Sequence, residues 1–550
     1  MRIDPITLEV IRNALQSGAE EMGATLKRTG YSPNIKERKD LSCALFNLKA
    51  EMIAQAEHIP VHLGAMIRSV EMTIKNFSKD LSPGDAIILN DPYMGGTHLP
   101  DITLISPIFY KGELIGFSAN RAHHADVGGI SPGSLPGSST EIYQEGIIIP
   151  PVKLFEEGEL KEDLLTLIVK NVRTPEERAG DIKAQVSANK IGEKRVLELI
   201  EKYGRETFLT TMEEILNYSE RMMRAQIRGF PKGSFEAVDF MDNDGISDEP
   251  VKLKVRVTIE EDRLSIDFSG TDSQRDGNIN AVSAVTDSSV FFTIRAITDP
   301  SIPANSGCYR PLKIYIPEGT VLNAKPPAAV SAGNVETSQR IVDLLLRAFT
   351  AVIPNRVIAG CQGTMNTLTI GGMDPRSGKP YAYCETTAGG QGARPNADGM
   401  DGIHTHMTNT LNTPIEAFEI AYPLMIEQYE LNPSSGGLGQ YRGGLGIVRT
   451  LRVLDHQAML SLQSERRRFA PYGLLGGGDG RRGRNYILRG QTKKLFPPKF
   501  TVRLNPGDGI QIETPGGGGY GPLEKRSADL IEKDISSEKY KKGTYEMNKK

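Results

Sequence analysis

Residues 95–129, "GGTHLPDITLISPIFYKGELIGFSANRAHHADVGG", decide the fold of the N-terminal part of this chain. Two apolar runs on either side of Lys111-Gly112 predict a β-hairpin with a tight turn. A histidine followed three residues later by an aspartate occurs at both ends of the hairpin, at His98 and Asp101 and again at His123 and Asp126. The stretch therefore predicts two strands whose ends, or the loops just after them, carry the same polar pair.

This pairing predicts a metal site. Metal ions in proteins are held by lone-pair donors at about 2.0–2.3 Å, and imidazole with carboxylate suits zinc, manganese or iron. The chain has only eight histidines, and three lie in this window. Pro100 bends the segment between His98 and Asp101, which allows both side chains to point inward. On an extended strand His123 and His124 face opposite sides, so we expect only one of them to join the first pair.

Two points about this site stay open. Asp126 is either a fourth ligand or an acceptor that fixes an imidazole tautomer, and the second histidine of the pair orients a ligand or meets substrate. The alternative to a metal site is a set of buried polar residues that tie the glycine loops together.

Composition limits the classes of protein to consider. At 550 residues the chain is too long for one core, and about 150 residues per domain suggests three or four domains. A net charge of -3 gives no reason to expect nucleic acid or a membrane as a partner. No apolar stretch approaches the roughly 18 residues that cross a bilayer, and charges interrupt any signal-peptide core. The four cysteines form no CxxC pair, which favours a reducing compartment, so we expect a cytoplasmic protein.

The patterning predicts a mixed α/β (α+β), multidomain fold, with an N-terminal α/β region, a helical middle segment and a β-rich C-terminal region. Helices are expected over 4–28 and, broken at Tyr203-Gly204, over 176–202 and 205–228. The predicted domains are an N-terminal α/β domain with the metal-site motifs (1–175), a helical segment (176–232), a central α/β domain with polar glycine-rich loops (233–430), a β-rich domain (431–522) and a charged tail that is a loose helix or disordered (523–550).

Further polar residues are candidates for substrate binding. His404-x-His406 puts two imidazoles on one face of a strand. Four roles stay open for this pair: it positions substrate, completes the first metal site, binds a separate metal, or forms ordinary hydrogen bonds within a loop. The residues assigned to substrate binding are Asp91, Asn334, Glu336, Arg340, His404, His406 and Asn409. His58 and His62 precede a helix and are interpreted as packing residues; the alternative for His62 is a position at the helix start near the active cleft. No GxxxxGK[ST] phosphate loop, G-x-S-x-G elbow or recognisable cysteine nucleophile occurs.

Ordered motifs along nearly the whole chain resemble the hydantoinase B/oxoprolinase family, which includes the large subunit of acetone carboxylase. They run from "DPITLEVIRNAL" to "ETPGGGGYG" and include "SPNIKERKDLSCALF", "HIPVHLGAM", "LNDPYMGGTHLPDITLISPIF", "RAHHADVGG", "NVRTPEERAGDIKAQVSAN", "SAGNVETSQRI" and "TTAGGQGARPNADGMDGIHTHMTNTLNTPIE".

The resemblance implies a subunit of a two-component, ATP-dependent hydrolase. A separate A-type subunit would bind ATP and phosphorylate the substrate oxygen. The B-type subunit would then complete the opening of a cyclic amide such as 5-oxoproline, hydantoin or N-methylhydantoin. The metal ligands of the carboxylase branch match His98, Asp101 and His123 here, for a divalent ion of manganese, zinc or iron. His124 and Asp126 are then expected to manage protons as catalytic groups.

Two other functions stay open. The first is a subunit of an ATP-dependent ketone carboxylase of the acetone type, although the large subunit of that three-subunit branch is longer than this chain. The second is a non-catalytic interaction subunit that only shapes its partner, which the histidine clusters in glycine-rich loops disfavour.

Overall fold

The computed structural model describes residues 3–56 and 59–547, so His58 lies outside the described residues. The architecture is mixed α/β and multidomain, with 33% helix, 26% strand and four sheets. This confirms the fold class predicted from the sequence. Among the described residues, no helix is both long and apolar enough to cross a membrane.

A seven-stranded antiparallel sheet dominates the N-terminal part, in the order β2-β1-β5-β4-β3-β6-β7. Its strands are β1 (Leu41–Phe46), β2 (Met52–Gln55), β3 (Ala86–Leu89), β4 (Asp101–Tyr110), β5 (Glu113–His123), β6 (Val152–Glu156) and β7 (Glu159–Leu160). The predicted hairpin thus supplies the two central strands, β4 and β5.

Six helices accompany this sheet: α1 (Pro5–Thr29), α2 (Pro33–Lys36), α3 (Pro60–Phe77), α4 (Glu162–Lys170), α5 (Pro175–Tyr203) and α6 (Arg205–Arg228). α1 and α5 pack with α6 on one face, where Leu45 and Ala122 point. α3 covers the other face, where Phe117 and Ala119 point. Since α5 packs on the sheet, the predicted boundary at 175/176 does not separate two cores.

The ends of the long helices follow local chemistry. The Asp4 side chain accepts hydrogen bonds from the backbone N–H groups of Ile6 and Thr7, and Pro5 occupies the first turn of α1. Gly204, with a φ of +82°, separates α5 from α6 where the sequence predicted a break.

The middle of the chain builds a four-stranded sheet with two helices against it. The strands are β8 (Gly233–Met241), β9 (Val251–Glu260), β10 (Arg263–Asp267) and β11 (Leu312–Tyr315), in the order β11-β10-β9-β8, and the helices are α7 (Ser283–Ile297) and α8 (Ser338–Phe349). A single π-helical turn, Gly333–Thr337, leads directly into α8. This turn matters because it enters the candidate site.

The C-terminal part contains two antiparallel sheets over one shared apolar core. Its elements are β12 (Thr367–Met373), β13 (Pro380–Thr386), α9 (Ile415–Ala421), β14 (Leu424–Leu431), β15 (Ile447–Val453), β16 (Ala458–Gln463), β17 (Arg484–Arg489), β18 (Thr492–Phe496), β19 (Lys499–Leu504) and β20 (Gly509–Glu513). One sheet has the order β13-β12-β16-β19 and the other β14-β15-β20-β17-β18. Strands from both sides of the predicted boundary at 430/431 therefore share a sheet.

The charged tail, expected to be a loose helix or disordered, contains two short helices among its described residues. It forms α10 (Ala528–Ser536) and α11 (Lys542–Met547). Tyr540 and Tyr545 are buried against Leu445. Asp534 is bonded at 2.8 Å by Nε of Arg442. Two tyrosines and a buried carboxylate therefore dock a segment whose composition is otherwise polar.

Candidate metal centre

The structure brings together the three residues predicted as metal ligands. Oδ1 of Asp101 lies 3.1 Å from Nε2 of His98 and 3.0 Å from Nδ1 of His123. Those two nitrogens are 3.2 Å apart. All three side chains are buried between the central strands and α3. One oxygen and two nitrogens thus form a nearly equilateral triangle.

The surrounding hydrogen bonds fix Nε2 of His98 as an acceptor and allow Nδ1 of His123 to be one as well. Nδ1 of His98 lies 3.0 Å from the carbonyl oxygen of Ser331, which only accepts, so Nδ1 carries the proton and Nε2 keeps its lone pair. Nε2 of His123 lies 3.6 Å from Sγ of Cys384; when it donates there, Nδ1 also keeps a lone pair. With the Asp101 oxygen, three lone pairs converge. A cation between them relieves their mutual repulsion.

The spacing fits a divalent metal ion. Two ligand atoms bonded to one ion at about 2.0–2.2 Å lie about 3.0–3.5 Å apart. The edges of the triangle measure 3.0, 3.1 and 3.2 Å. Two imidazoles and a carboxylate suit zinc, manganese and iron alike. The residues present therefore fit the metal that the family resemblance implies.

The second oxygen of Asp101 is anchored away from the histidines. Oδ2 accepts from Oγ1 of Thr97 at 2.6 Å and from Nδ2 of Asn334, in the π-helical turn, at 3.2 Å. Burial by itself would raise the pKa of Asp101, but His98 and His62 hold that pKa well below its usual range. The carboxylate is therefore ionised at neutral pH, as ligation requires.

A β-bulge selects which histidine of the His123-His124 pair faces Asp101. The two-residue hairpin turn alone would set Asp101 opposite Ala122. One extra residue in β5, Ile115, shifts the register so that Asp101 pairs with His123. Because neighbouring residues on a strand point to opposite faces, His123 then shares the face of Asp101 and His124 does not.

Two further polar side chains, of His62 and Asp40, face the cluster; packing was the favoured interpretation of His62, with a position near the active cleft as the alternative. His62 lies in the first turn of α3, with Nε2 3.4 Å from Oδ1 of Asp101 and 3.8 Å from Oδ1 of Asp40. His62 is buried, as a packing residue is, but it contacts the ligand carboxylate. Asp40 comes from the hydrogen-bond-rich stretch before β1. The scarcity of histidine in the chain was the available signal for His62.

A cavity of about 20 Å³ adjoins the cluster. It is lined by Arg38, Asp40, Ile59, Val61, His62, His123, Asn334, Val335, Met365, Thr367, Cys384, Thr386 and Thr408. One water molecule needs about 10–15 Å³ by this measure. The cavity therefore admits a water molecule, and a ring-sized substrate requires its walls to separate.

His124, predicted as a catalytic group, lies on the opposite face of the sheet. Its Nε2 is 3.0 Å from Oε1 of Gln185 on α5, and its Nδ1 is buried without a hydrogen-bond partner. Burial, with a contribution from Arg178, lowers the pKa of His124 to about 4. The structure does not bring His124 to the cluster, and its contacts fit a role in docking α5.

Asp126, the second predicted catalytic group, is fully engaged elsewhere. One oxygen accepts from the backbone N–H groups of Gly128 and Arg173, each at 3.0 Å. The other accepts from the N–H of Gly133 at 3.0 Å and from Nη1 of Arg173 at 2.9 Å. With four donors on two oxygens, Asp126 organises the glycine loop after β5 and has no lone pair left for a metal or a substrate proton.

The residues predicted to bind substrate divide between several places. Asn334 contacts Asp101, and its buried Oδ1 has no hydrogen-bond partner among the described residues, so this oxygen is a candidate to bind a ligand. Arg340, six residues on, instead donates to Oε2 of Glu465 at 3.1 Å. Glu336 lies between them and is fully buried. Only Asn334 of these three lines the cavity.

The remaining candidates lie outside the triangle. Asp91 caps a short 3₁₀ turn before the metal-site loop, and Asn409 is exposed. Burial, together with the charge of Arg38, lowers the pKa of His404 to about 4. His406 bonds a different carboxylate, with Nε2 3.0 Å from Oδ1 of Asp343. Among the described residues, the group of ligand atoms within 4.8 Å of one another at the first cluster contains neither His404 nor His406.

The fold and this cluster define a multidomain α/β protein with a buried candidate metal site. The chain belongs to the Hydantoinase B/oxoprolinase family, whose model matches residues 4–523. It is 46% identical over 540 residues to an uncharacterised protein of Methanocaldococcus jannaschii, covering 98% of this chain and 94% of that protein. It is 35% identical over 562 residues to the candidate B-type subunit of a D-/L-hydantoinase of Pseudomonas sp. (strain NS671), covering 98% and 94%.

Longer relatives also match. The chain is 38% identical over 545 residues to 5-oxoprolinase 1 of Arabidopsis thaliana, and the match covers 94% of this chain but 42% of that protein. The chain thus spans less than half the length of this relative. The family predicted from the sequence is confirmed.

Solved structures share the fold. ATP-dependent caprolactamase from Pseudomonas jessenii superposes with a TM-score of 0.91 at 29% identity, over 98% of this chain and 95% of that chain. Nucleotide-free acetone carboxylase superposes with a TM-score of 0.92 at 21% identity, over 99% and 79%. The second likeness is evidence for the fold alone. The chain is therefore related to ATP-dependent hydrolases of cyclic amides.

Proposed function

We propose that this chain is the B-type component of an ATP-dependent cyclic amide hydrolase and opens the ring at a metal ion held by His98, Asp101 and His123. The observation that carries the proposal is the convergence of three acceptor atoms at 3.0–3.2 Å in a buried pocket. We place ATP on a partner subunit of the A type, which phosphorylates the amide oxygen of 5-oxoproline, a hydantoin or N-methylhydantoin.

Two facts support a partner subunit. One relative is named as the B-type subunit of a hydantoinase. The chain also corresponds to 42% of a 5-oxoprolinase, so a second component would supply what the rest of that longer protein provides. The sequence has no GxxxxGK[ST] phosphate loop, which agrees with ATP being bound elsewhere.

The residues of this chain have separable tasks in the proposed step. An amide is a poor electrophile, and phosphorylation of its oxygen makes the ring carbon more electrophilic. After water adds to that carbon, the ring nitrogen takes a proton and leaves, which breaks the C–N bond and opens the ring to an acyl phosphate; a second water then hydrolyses the acyl phosphate to carboxylate and phosphate. The bound ion would supply Lewis-acid chemistry at the activated carbon or to the attacking water. Asp101 holds the negative charge of the site, and Asn334 fixes its orientation through Oδ2. His62, with Nε2 beside Asp101, is placed to take a proton from the attacking water.

Burial gives the site its selectivity for an activated substrate. The closed cavity holds about one water molecule, so its walls must open to admit the substrate and close again before bulk solvent is excluded from the reactive phosphorylated species. Arg38 lines the cavity, is fully buried, and has no hydrogen-bond partner at Nε. Its charge suits an anionic substrate group.

The experiment is reconstitution with an A-type partner and assay of ATP-dependent ring opening of 5-oxoproline, hydantoin, N-methylhydantoin and caprolactam. We expect Asp101→Asn to lose bound metal and activity together, and the exposed Asp276→Asn to keep both. Full metal content and full turnover in Asp101→Asn would overturn the proposal. Turnover of ketones that requires bicarbonate would favour the carboxylase function, and wild-type turnover without any bound metal would refute the role of the cluster.

A further inference from the structure

A second cluster of ligand-type side chains lies apart from the ring-opening site. Among the described residues, two groups of three place their ligand atoms within 4.8 Å of one another. One is the triangle already described, and the other consists of Asp343, Cys361 and His406. Nε2 of His406 lies 3.0 Å from Oδ1 of Asp343. The ring-opening proposal uses none of these three residues.

Each member of this second cluster is oriented by its surroundings. The backbone N–H of Gly392 donates to Sγ of Cys361 at 3.3 Å, a contact that stabilises a thiolate. Nη2 of Arg466 donates to Oδ2 of Asp343 at 2.6 Å, and the backbone N–H of Cys361 donates to Oδ1 at 3.2 Å, which leaves the second lone pair of Oδ1 for the cluster. His406 has a φ of +56°, so the chain maintains an uncommon backbone conformation where this imidazole is presented. Thiol, imidazole and carboxylate are thus aimed at one another.

The chemistry of this set differs from that of the first cluster. Thiolate and imidazole are the preferred ligands of zinc, with a carboxylate as a common third. The first triangle has no sulfur and suits manganese, iron and zinc alike. The cluster offers three ligands, so a bound zinc ion would complete its usual four with a molecule such as water. Cys361 and Asp343 are fully buried, which leaves little room there for a substrate.

The cluster connects three segments that form one wall of the cavity. Asp343 lies on α8, whose preceding π-helical turn carries Asn334. Cys361 is four residues before Met365, and His406 is two residues before Thr408; Asn334, Met365 and Thr408 all line the cavity. An ion at the second cluster would therefore fix the relative positions of these three wall segments.

We propose that Cys361, His406 and Asp343 form a second, thiolate-containing metal site that binds zinc and holds this wall in place. The site is independent of the ring-opening chemistry. Asp101→Asn should remove one metal ion and Cys361→Ser the other, so failure of either proposal leaves the other testable.

The decisive experiment replaces zinc by cobalt during expression, so that the ion is present while the chain folds. Cobalt bonded to a thiolate gives a near-ultraviolet charge-transfer band, which a site of histidine and aspartate alone does not. We expect the wild type to bind two metal ions per chain and to show this band. Asp101→Asn should bind one ion fewer and still show the band. We expect Cys361→Ser to lose the band and one ion. Cys384→Ser, which removes the sulfur 3.6 Å from His123, should keep the band.

A measurement on the wild type tests the proposal even if a variant fails to fold. X-ray absorption at the zinc edge of the zinc-loaded chain should detect a sulfur neighbour. An edge spectrum with nitrogen and oxygen neighbours alone, a wild type without the cobalt band, or a band that persists in Cys361→Ser would each overturn the proposal.

Discussion

His62 and Asp101 meet although they lie on different elements: Nε2 of His62, in the first turn of α3, is 3.4 Å from Oδ1 of Asp101, the first residue of β4. The contact joins the helix that covers the sheet to the carboxylate at the centre of the candidate metal triangle. His62 also faces Asp40 across the cavity at 3.8 Å. This imidazole is therefore placed to exchange protons with groups at the cavity.

Replacing His62 by glutamine tests this placement. The three proposed ligands remain, so we expect metal content close to that of the wild type. Turnover of the reconstituted complex should fall by about 10²–10⁴-fold, the usual contribution of a general base. Metal analysis and steady-state kinetics measure the two effects. His456→Gln, which changes a histidine bonded to Tyr381 in the C-terminal part, is the matched control. Unchanged turnover in His62→Gln would remove His62 from the mechanism.

Asp126→Asn should lower the stability of the fold and leave metal binding unchanged. An amide retains one oxygen but cannot satisfy the four donors now on the carboxylate. We expect a loss of about 2 kcal/mol in the free energy of unfolding, because a buried N–H donor is left without an acceptor and the charge pair between buried Asp126 and partly exposed Arg173 is broken. Metal content of the variant that remains folded should be unchanged. Chemical denaturation and metal analysis check the two parts, and metal loss at full stability would contradict the assignment.

Local patterns predicted the central hairpin and put Asp101 and His123 at the ends of its strands, where the structure has them. The apolar runs around Lys111-Gly112 specify two antiparallel strands, and the ends of such strands meet at one edge of the sheet. Choosing between His123 and His124 required the register. A single extra residue at Ile115 determines it, and alternation of apolar residues alone does not reveal which residue bulges.

Contacts between segments that lie far apart in the chain were not predicted from the sequence. His62 reaches Asp101 only because α3 packs across β4, and the second cluster requires α8, the segment after it and the loop around His406 to converge. The charged tail gave a composition typical of disorder, but Tyr540 and Tyr545 supply enough buried surface to dock it. Each case depends on tertiary packing, which no local periodicity encodes.

Gly95→Ala should weaken the metal site through the backbone. Gly95 has a φ of +97°, and an added Cβ would lie 2.7 Å from the carbonyl oxygen of Arg68 on α3. The strained conformation costs about 1–2 kcal/mol and the overlap about 1–3 kcal/mol more. The loop carrying His98 must then move away from α3, so metal affinity should fall together with stability.

Gly112→Ala is the matched control, since φ is +86° there and no atom lies within 4 Å of the added Cβ. Gly112→Ala should lose only the stability that the strained backbone conformation costs, about 1–2 kcal/mol, and should bind as much metal as the wild type. Equal effects of the two substitutions on thermal unfolding and on metal content would contradict the proposed contact between the loop and α3.

Glu336 should make the stability of the chain decrease with pH. Burial, reinforced by the nearby Glu465, raises the pKa of Glu336 from 4.5 to about 8, and its Oε2 has no hydrogen-bond partner. The folded chain therefore keeps a proton that the unfolded chain releases above its own pKa. The stabilisation is complete below about pH 4.5 and is lost as pH rises through about 8, by on the order of a few kcal/mol. Glu336→Gln stays neutral, so relative to the wild type it should gain stability between pH 6 and 9. Denaturation curves across that range test this, with the exposed Glu249→Gln as the control; parallel curves for Glu336→Gln and the wild type would show that Glu336 is already ionised in the folded chain.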